Sequence, residues 1–139
     1  MSNIKGLVDV TTGQEVDPDA RYLQSIVGYR SMIDVNSVPV VILTPNTIHL
    51  VLKATYQGLK LPQTCVKGTI FKVVGMGEGL WGIQQFAGQQ IIMGDYPTTV
   101  GTNGAIQATY KRDTVDLLCV VADTTFLVIN STGNISVIQ

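Results

Sequence analysis

One histidine, two cysteines and a few scattered carboxylates are the side chains that could do chemistry in this chain. His49 lies on the polar phase of an alternating stretch, where a surface or interface position is expected. A Ser-His or Cys-His nucleophile would have to be built from it, and no G-x-S-x-G elbow leads from a strand into a helix. Zinc needs a cluster of ligands, whereas Cys65 and Cys119 stand far apart without a CxxC spacing. Both cysteines sit among apolar residues and are expected as buried free thiols rather than a disulfide. Glu78, Asp95, Asp113, Asp116 and Asp123 fall in or near predicted loops. A glycosidase needs two carboxyls facing each other at about 5 to 9.5 Å, but these acids read as strand ends and turn caps. No D-x-D-x-D-G loop for calcium is present. Gly75-x-Gly77-x-Gly79 has the look of a phosphate loop, yet it runs into Leu80-Trp81-Gly82-Ile83, a strand, where a phosphate loop runs into a helix N-terminus. Its glycines are expected to give a mobile or sharply bent connection. The chemistry therefore points away from an enzyme and implies no metal and no cofactor.

The elements that would position these groups are organised around Gly79 to Ile91. Aromatic and β-branched residues alternate there with small or amide residues until the phase breaks at Ala87-Gly88. The pattern predicts a strand, a tight turn at Gly88 and a second strand, a central hairpin. Trp81, Ile83 and Phe86 are its packing candidates, in the core or at a subunit contact, rather than a sugar platform. Gln85 and Gln89, with Gln84 and Gln90, are expected in buried or inter-subunit hydrogen bonds, since neutral amides bury at less cost than charges.

The flanking chain reads as strand after strand. Val38 to Leu43 is a buried or edge strand, Thr44 to Thr47 a turn, and Ile48, Leu50, Leu52, Ala54 and Tyr56 the apolar face of a long strand ended by Gln57-Gly58. Thr69 to Val74, Ile106 to Tyr110, Val115 to Val121 (apolar on both faces, hence interior), Phe126 to Ile129 and Ile135 to Ile138 follow. A faint echo relates Trp81 and Gly88-Gln89 to Phe126 and Gly133-Asn134, each an aromatic strand, a glycine turn, an amide and an apolar strand. The N-terminal region differs in texture. Val8 to Thr11 could be a short strand, and Asp17-Pro18-Asp19 resembles a helix start with Tyr22, Leu23, Ile26, Val27 and Ile33 as its stripe; an extended arm is the alternative. The expected organisation is an arm or short helix over residues 1–36 and a β domain over residues 37–139. Its class is all-β, an antiparallel β-sandwich or jelly-roll-like (lectin-like) body.

The chain has 139 residues, a net charge of −1 and 14% charged residues, against roughly 25% in an average domain. So little charge leaves a small body poorly coated, and part of its surface is expected to be buried against other chains, making it a homo-oligomer. Lys111-Arg112 is the only adjacent basic pair, which argues against direct nucleic-acid binding. No apolar run is long enough for a bilayer and no signal-peptide core opens the chain, so synthesis in a cytoplasm without classical secretion is expected.

From about Ile42 to Gln139 one set of residues carries a resemblance: Gly79-x-Trp81-x-Ile83-x-Gln85-x-Ala87-Gly88-Gln89-x-Ile91, Thr98-Thr99-x-Gly101-x-x-Gly104, Asp116-Leu117-x-Cys119, and Phe126-x-Val128 with Gly133-Asn134. It resembles β-domains of bacteriophage virion proteins, both tail-fibre domains and small capsid decoration (cement) proteins. The resemblance implies a β-sandwich or lectin-like fold, a homotrimer and no catalytic residues. Many related modules carry Trp in the penultimate strand where this chain has Phe126. With about forty residues before the β-module and no heptad or Gly-x-y shaft, the expectation is a decoration protein of the virion. Made in the host cytoplasm, it would trimerise and stabilise the phage head by bridging major capsid subunits, with an arm around Ile4 to Ile33 in contact. The alternative is a receptor-binding or host surface polysaccharide-binding domain of a tail fibre or spike. That reading places contacts on the loops of Asp95, Tyr96 and Asn103.

Overall fold

Alternation of inward and outward side chains builds twelve strands, and a computed structural model describes them over residues 31–36 and 39–139. In chain order they are β1 (Ser31–Val35), β2 (Val40–Ile42), β3 (Thr47–Val51), β4 (Gln57–Lys60), β5 (Ile70–Gly75) and β6 (Trp81–Gln84). Then come β7 (Gln90–Met93), β8 (Tyr96–Pro97), β9 (Ala105–Ala108), β10 (Thr114–Val121), β11 (Thr125–Thr132) and β12 (Ile135–Ile138). There is no helix among the described residues. A seven-stranded sheet runs β1-β3-β5-β10-β11-β7-β8 and a five-stranded sheet runs β12-β9-β6-β4-β2. Trp81, Phe71, Phe126, Leu59, Ile83, Ile106 and Leu117 fill the core of this all-β, sandwich-like body.

The sheets are mixed rather than antiparallel. From β1 to β7 each successive strand goes to the opposite sheet. Strands two apart in sequence therefore become neighbours running the same way: β2 with β4, β4 with β6, and β3 with β5 are parallel. Antiparallel pairing enters with the β10–β11 and β7–β8 hairpins and with β9, which pairs both β6 and β12. The central hairpin expected at Gly79 to Ile91 does not form. β6 lies in the five-stranded sheet and β7 in the seven-stranded one, so the stretch is a corner between sheets.

The stretch after Pro45 also differs from its pattern. β3 stops at Val51, and its buried face is Thr47, His49 and Val51, while Ile48 and Leu50 are half-buried on the outside. The phase is inverted because the inward polar groups find fixed partners, as described below. Gln57-Gly58, expected to end that strand, instead begins β4 between β2 and β6. The Gly75 to Gly79 connection is packed rather than loose. Met76 and Gly77 N–H groups donate to the Val51 carbonyl and Gly79 N–H to the Lys53 carbonyl. A Cβ on Gly79 would fall inside the Thr55 carbonyl, so two backbones touch where only glycine fits. Val38 to Leu43 yields β2, an edge strand, and Val115 to Val121 lies within β10, interior between β5 and β11.

The compact unit of the described chain spans Met32–Gln139. β1, placed by sequence in the 1–36 arm, is therefore a strand beside β3, and Ile33 belongs to it rather than to a helical stripe. The expected strand at Val8 to Thr11, the helix from Asp17 and most of the Ile4 to Ile33 arm lie outside the described residues.

Candidate interaction surface

Gln85 and Gln89 of the β6–β7 corner are held inside the chain, whereas Gln84 is exposed. Gln85 is buried, and its Nε2 lies 2.7 Å from the Gln89 carbonyl, 2.8 Å from that of Gly101 and 3.0 Å from that of Thr99. Thr98 Oγ1 donates to its Oε1 at 2.5 Å. Gln89, also buried, accepts the Phe86 N–H at Oε1 (2.8 Å) and donates from Nε2 to the carbonyls of Pro62 (2.7 Å) and Asp123 (3.1 Å). Buried polar groups require partners, and here three loops supply them, so Gln85 and Gln89 have their partners within one chain. Gly88 turns the corner at φ 81°. Phe86 is half-buried, with Lys60 Nζ 3.9 Å from its ring centroid, a cation–π contact. Ile83 and Trp81 are buried, and Trp81 Nε1–H donates to the Asp113 carbonyl at 2.9 Å.

A second corner uses a carboxylate. β11 leaves the seven-stranded sheet and β12 joins the other, with Gly133 at φ 94° between them. Buried Asp113 accepts the N–H of Thr109 and of Tyr110 at Oδ2 (2.9 and 3.1 Å) and that of Asn134 at Oδ1 (3.2 Å). Phe126 packs inward, its ring centroid 6.2 Å from that of Phe71.

The groups with chemical potential are likewise committed to structure. His49 is fully buried instead of lying at the surface or an interface. Thr44 N–H donates to its Nε2 at 2.8 Å, which leaves Nδ1 to carry the proton and donate to the Lys72 carbonyl at 3.0 Å. Burial pushes its pKa below the ordinary histidine value, the backbone hydrogen bonds partly opposing. Cys65 and Cys119 are buried free thiols. Desolvation, with Cys65 as neighbour, pushes Cys119 up to about 11. Asp123 Oδ1 accepts the Cys65 N–H at 2.7 Å, and exposed Glu78 pairs with Lys111 at 2.5 Å. Among the described residues no three His, Cys, Asp or Glu side chains gather as a metal site.

What faces outward is more telling. On β10, Val115, Leu117 and Cys119 point into the core, so Asp116, Leu118 and Val120 point out. The strand registers align Ile70, Leu118, Leu127 and Ile92 in one row across four strands of the seven-stranded sheet. Ile48 and Leu50 extend the same face beside Lys72 and Val74. All are half-buried aliphatics apart from Lys72, whose Nζ lies 3.5 Å from Asp116 Oδ1, a charge contact rather than a hydrogen bond. No sequence pattern singled out this face, because its residues come from five separate strands and only the register lines them up.

Asp95 and Tyr96 sit together on the β7–β8 turn, at the rim of an open groove of about 530 Å³ shared with β11 and β12. Tyr96 is 65% exposed. Asn103 is exposed in a different turn and does not line that groove. No protein-family model matches this sequence, and no curated protein matches it.

Proposed function

We propose that this protein is a non-catalytic structural component of a phage virion. In this reading it is a capsid decoration protein that trimerises and stabilises the head by bridging major capsid subunits. The observation that supports this most is the aliphatic outer face of the seven-stranded sheet. A sandwich buries one face of each sheet and leaves the other to water, where alternation normally places polar side chains. Here Ile48, Leu50, Ile70, Leu118, Leu127 and Ile92 occupy water-side positions around one ion pair. Covering such a face with another protein surface removes apolar area from water at about 25 cal/mol per Å². Each contact made on the shell then stabilises the shell by linkage.

Mass measurement in solution tests the reading, with trimers expected at micromolar concentration. Leu118→Asp, on the outer face, is expected to shift the population to folded monomers and to abolish cosedimentation with undecorated capsids. A wild-type protein that stays monomeric and leaves capsids unbound overturns the proposal.

A further inference from the structure

We infer that the groove beside the end of β7 is a strand-addition site: it takes an extended peptide segment of a partner chain, bearing an aliphatic side chain next to a Lys or Arg. The inference stands apart from the outer face of the seven-stranded sheet and does not rest on trimerisation.

The groove exists because β11 outruns its neighbour. β10 pairs with β11 from Thr125 to Thr132, whereas β7 pairs with it only from Thr125 to Leu127. Beyond Leu127 the second edge of β11 has no strand partner among the described residues, and β7 ends at Met93 and turns back through Gly94-Asp95 into β8. An unpaired edge presents backbone N–H and C=O groups ready to bind an extended chain. A guest strand would occupy the line that β7 leaves.

The side chains around that line select the guest. The β10–β11 register slips between Asp116 and Leu117, where one residue of β10 opposes Val128 and the next opposes Asn130. Ile129 is thus the extra residue of a β-bulge, a device that re-aims a side chain. It lines the groove and remains 47% exposed. Met93, Val128, Ile135 and Val137 complete an aliphatic wall that suits an Ile, Leu or Val from the guest. Among the described residues Asp95 is the only charged side chain lining the groove, which favours a cation beside that residue. A saccharide is served less well. Its hydroxyls would face aliphatic carbon over most of the wall, and Asn103 is not there to bind them.

The test uses the full chain, ¹⁵N-labelled, titrated with the peptide acetyl-Thr-Ile-Lys-Ile-Thr-amide. Saturable shifts are expected at the amides of Val128 to Ser131 and Gly94 to Tyr96. Ile129→Asp, an exposed change whose fold the same spectra verify, should weaken binding by about tenfold or more. Asp95→Asn should weaken it by about threefold and reduce its salt dependence. N-methylation of the two central peptide nitrogens should weaken binding by about tenfold, because the carbonyls of the β11 edge then lose the N–H donors of the guest. Absence of shifts, or equal binding of the N-methylated peptide, overturns the inference. So does dextran moving the same amides while the peptide does not, which would make the groove a saccharide site.

Discussion

The corner at Gly88 and the corner at Gly133 obey one sequence grammar and are held by different chemistry. In each, an aromatic strand reaches a glycine in the left-handed region and the chain passes to the opposite sheet. The passage goes from the five-stranded sheet to the seven-stranded one at Gly88 and back at Gly133. The first is held by the neutral amides of Gln85 and Gln89, the second by the Asp113 carboxylate accepting three backbone N–H groups. Trp81 joins them, rising from the strand before the first corner to bond the Asp113 carbonyl at the second. The echo between the two stretches therefore corresponds to a shared conformational task. The residues that hold each turn are set by what else is within reach: five backbone carbonyls in one place, three backbone N–H groups in the other.

Removing the link between the corners should have the largest effect. Trp81→Ala is expected to cost about 3 to 5 kcal/mol, through the cavity and the lost hydrogen bond, and to lower the denaturant midpoint accordingly. If the loss is that of an exposed residue, Trp81 does not couple the corners. Next, Asp113→Ala should cost about 3 kcal/mol by stranding three donors, while Gln85→Ala should cost about 2 kcal/mol. A reversed order would show that the amide network dominates. Glycine replacement sharpens the contrast. Gly88→Ala meets nothing within 4 Å and should cost only the left-handed backbone penalty, about 1 kcal/mol. A Cβ at Gly133 would collide with the Asp113 carboxylate, so Gly133→Ala should cost clearly more. Equal losses would reduce the resemblance of the corners to backbone conformation alone.

The smallest effect is a dependence on pH from a third buried polar station, His49. Its folded pKa lies below 6.5, the ordinary value. Above that value both folded and unfolded chains hold it neutral and it adds no slope. As pH falls below 6.5, the unfolded chain takes up a proton that the folded chain refuses, so stability declines until the folded pKa is passed. His49→Gln should flatten that part of a stability-versus-pH curve. An unchanged slope would show that His49 does not carry the dependence.

How much of this could be read without a structure differs by element. Period-two alternation and turn residues located strands where β5, β9, β10 and β12 run and made β10 an interior strand, while for β2 they left open whether it was buried or at an edge, which the topology settled as an edge. They also yielded the all-β class and marked Trp81, Ile83 and Phe86 as packing residues, of which Trp81 and Ile83 are buried and Phe86 half-buried. Asp95 and Tyr96 share the rim of a groove that depends on β11 outrunning β7 and on a bulge at Ile129, neither of which leaves a local signal.

Alternation by itself determined that most of this chain is extended, because side chains two apart share a face whatever the strand pairs with. Tertiary structure decided which face turned inward and which strand became the neighbour. Ile48 and Leu50 looked like core residues, yet Thr47 and His49 are buried in their place, with both His49 ring nitrogens bonded to backbone groups at Thr44 and Lys72. By pattern Ile83 and Ile91 belong within one hairpin, yet they entered different sheets, since the carbonyls of Pro62, Thr99, Gly101 and Asp123 were placed to hold the two glutamines between them. Those partners are distant in sequence, and a buried polar group takes whichever distant partner the fold brings within hydrogen-bond reach.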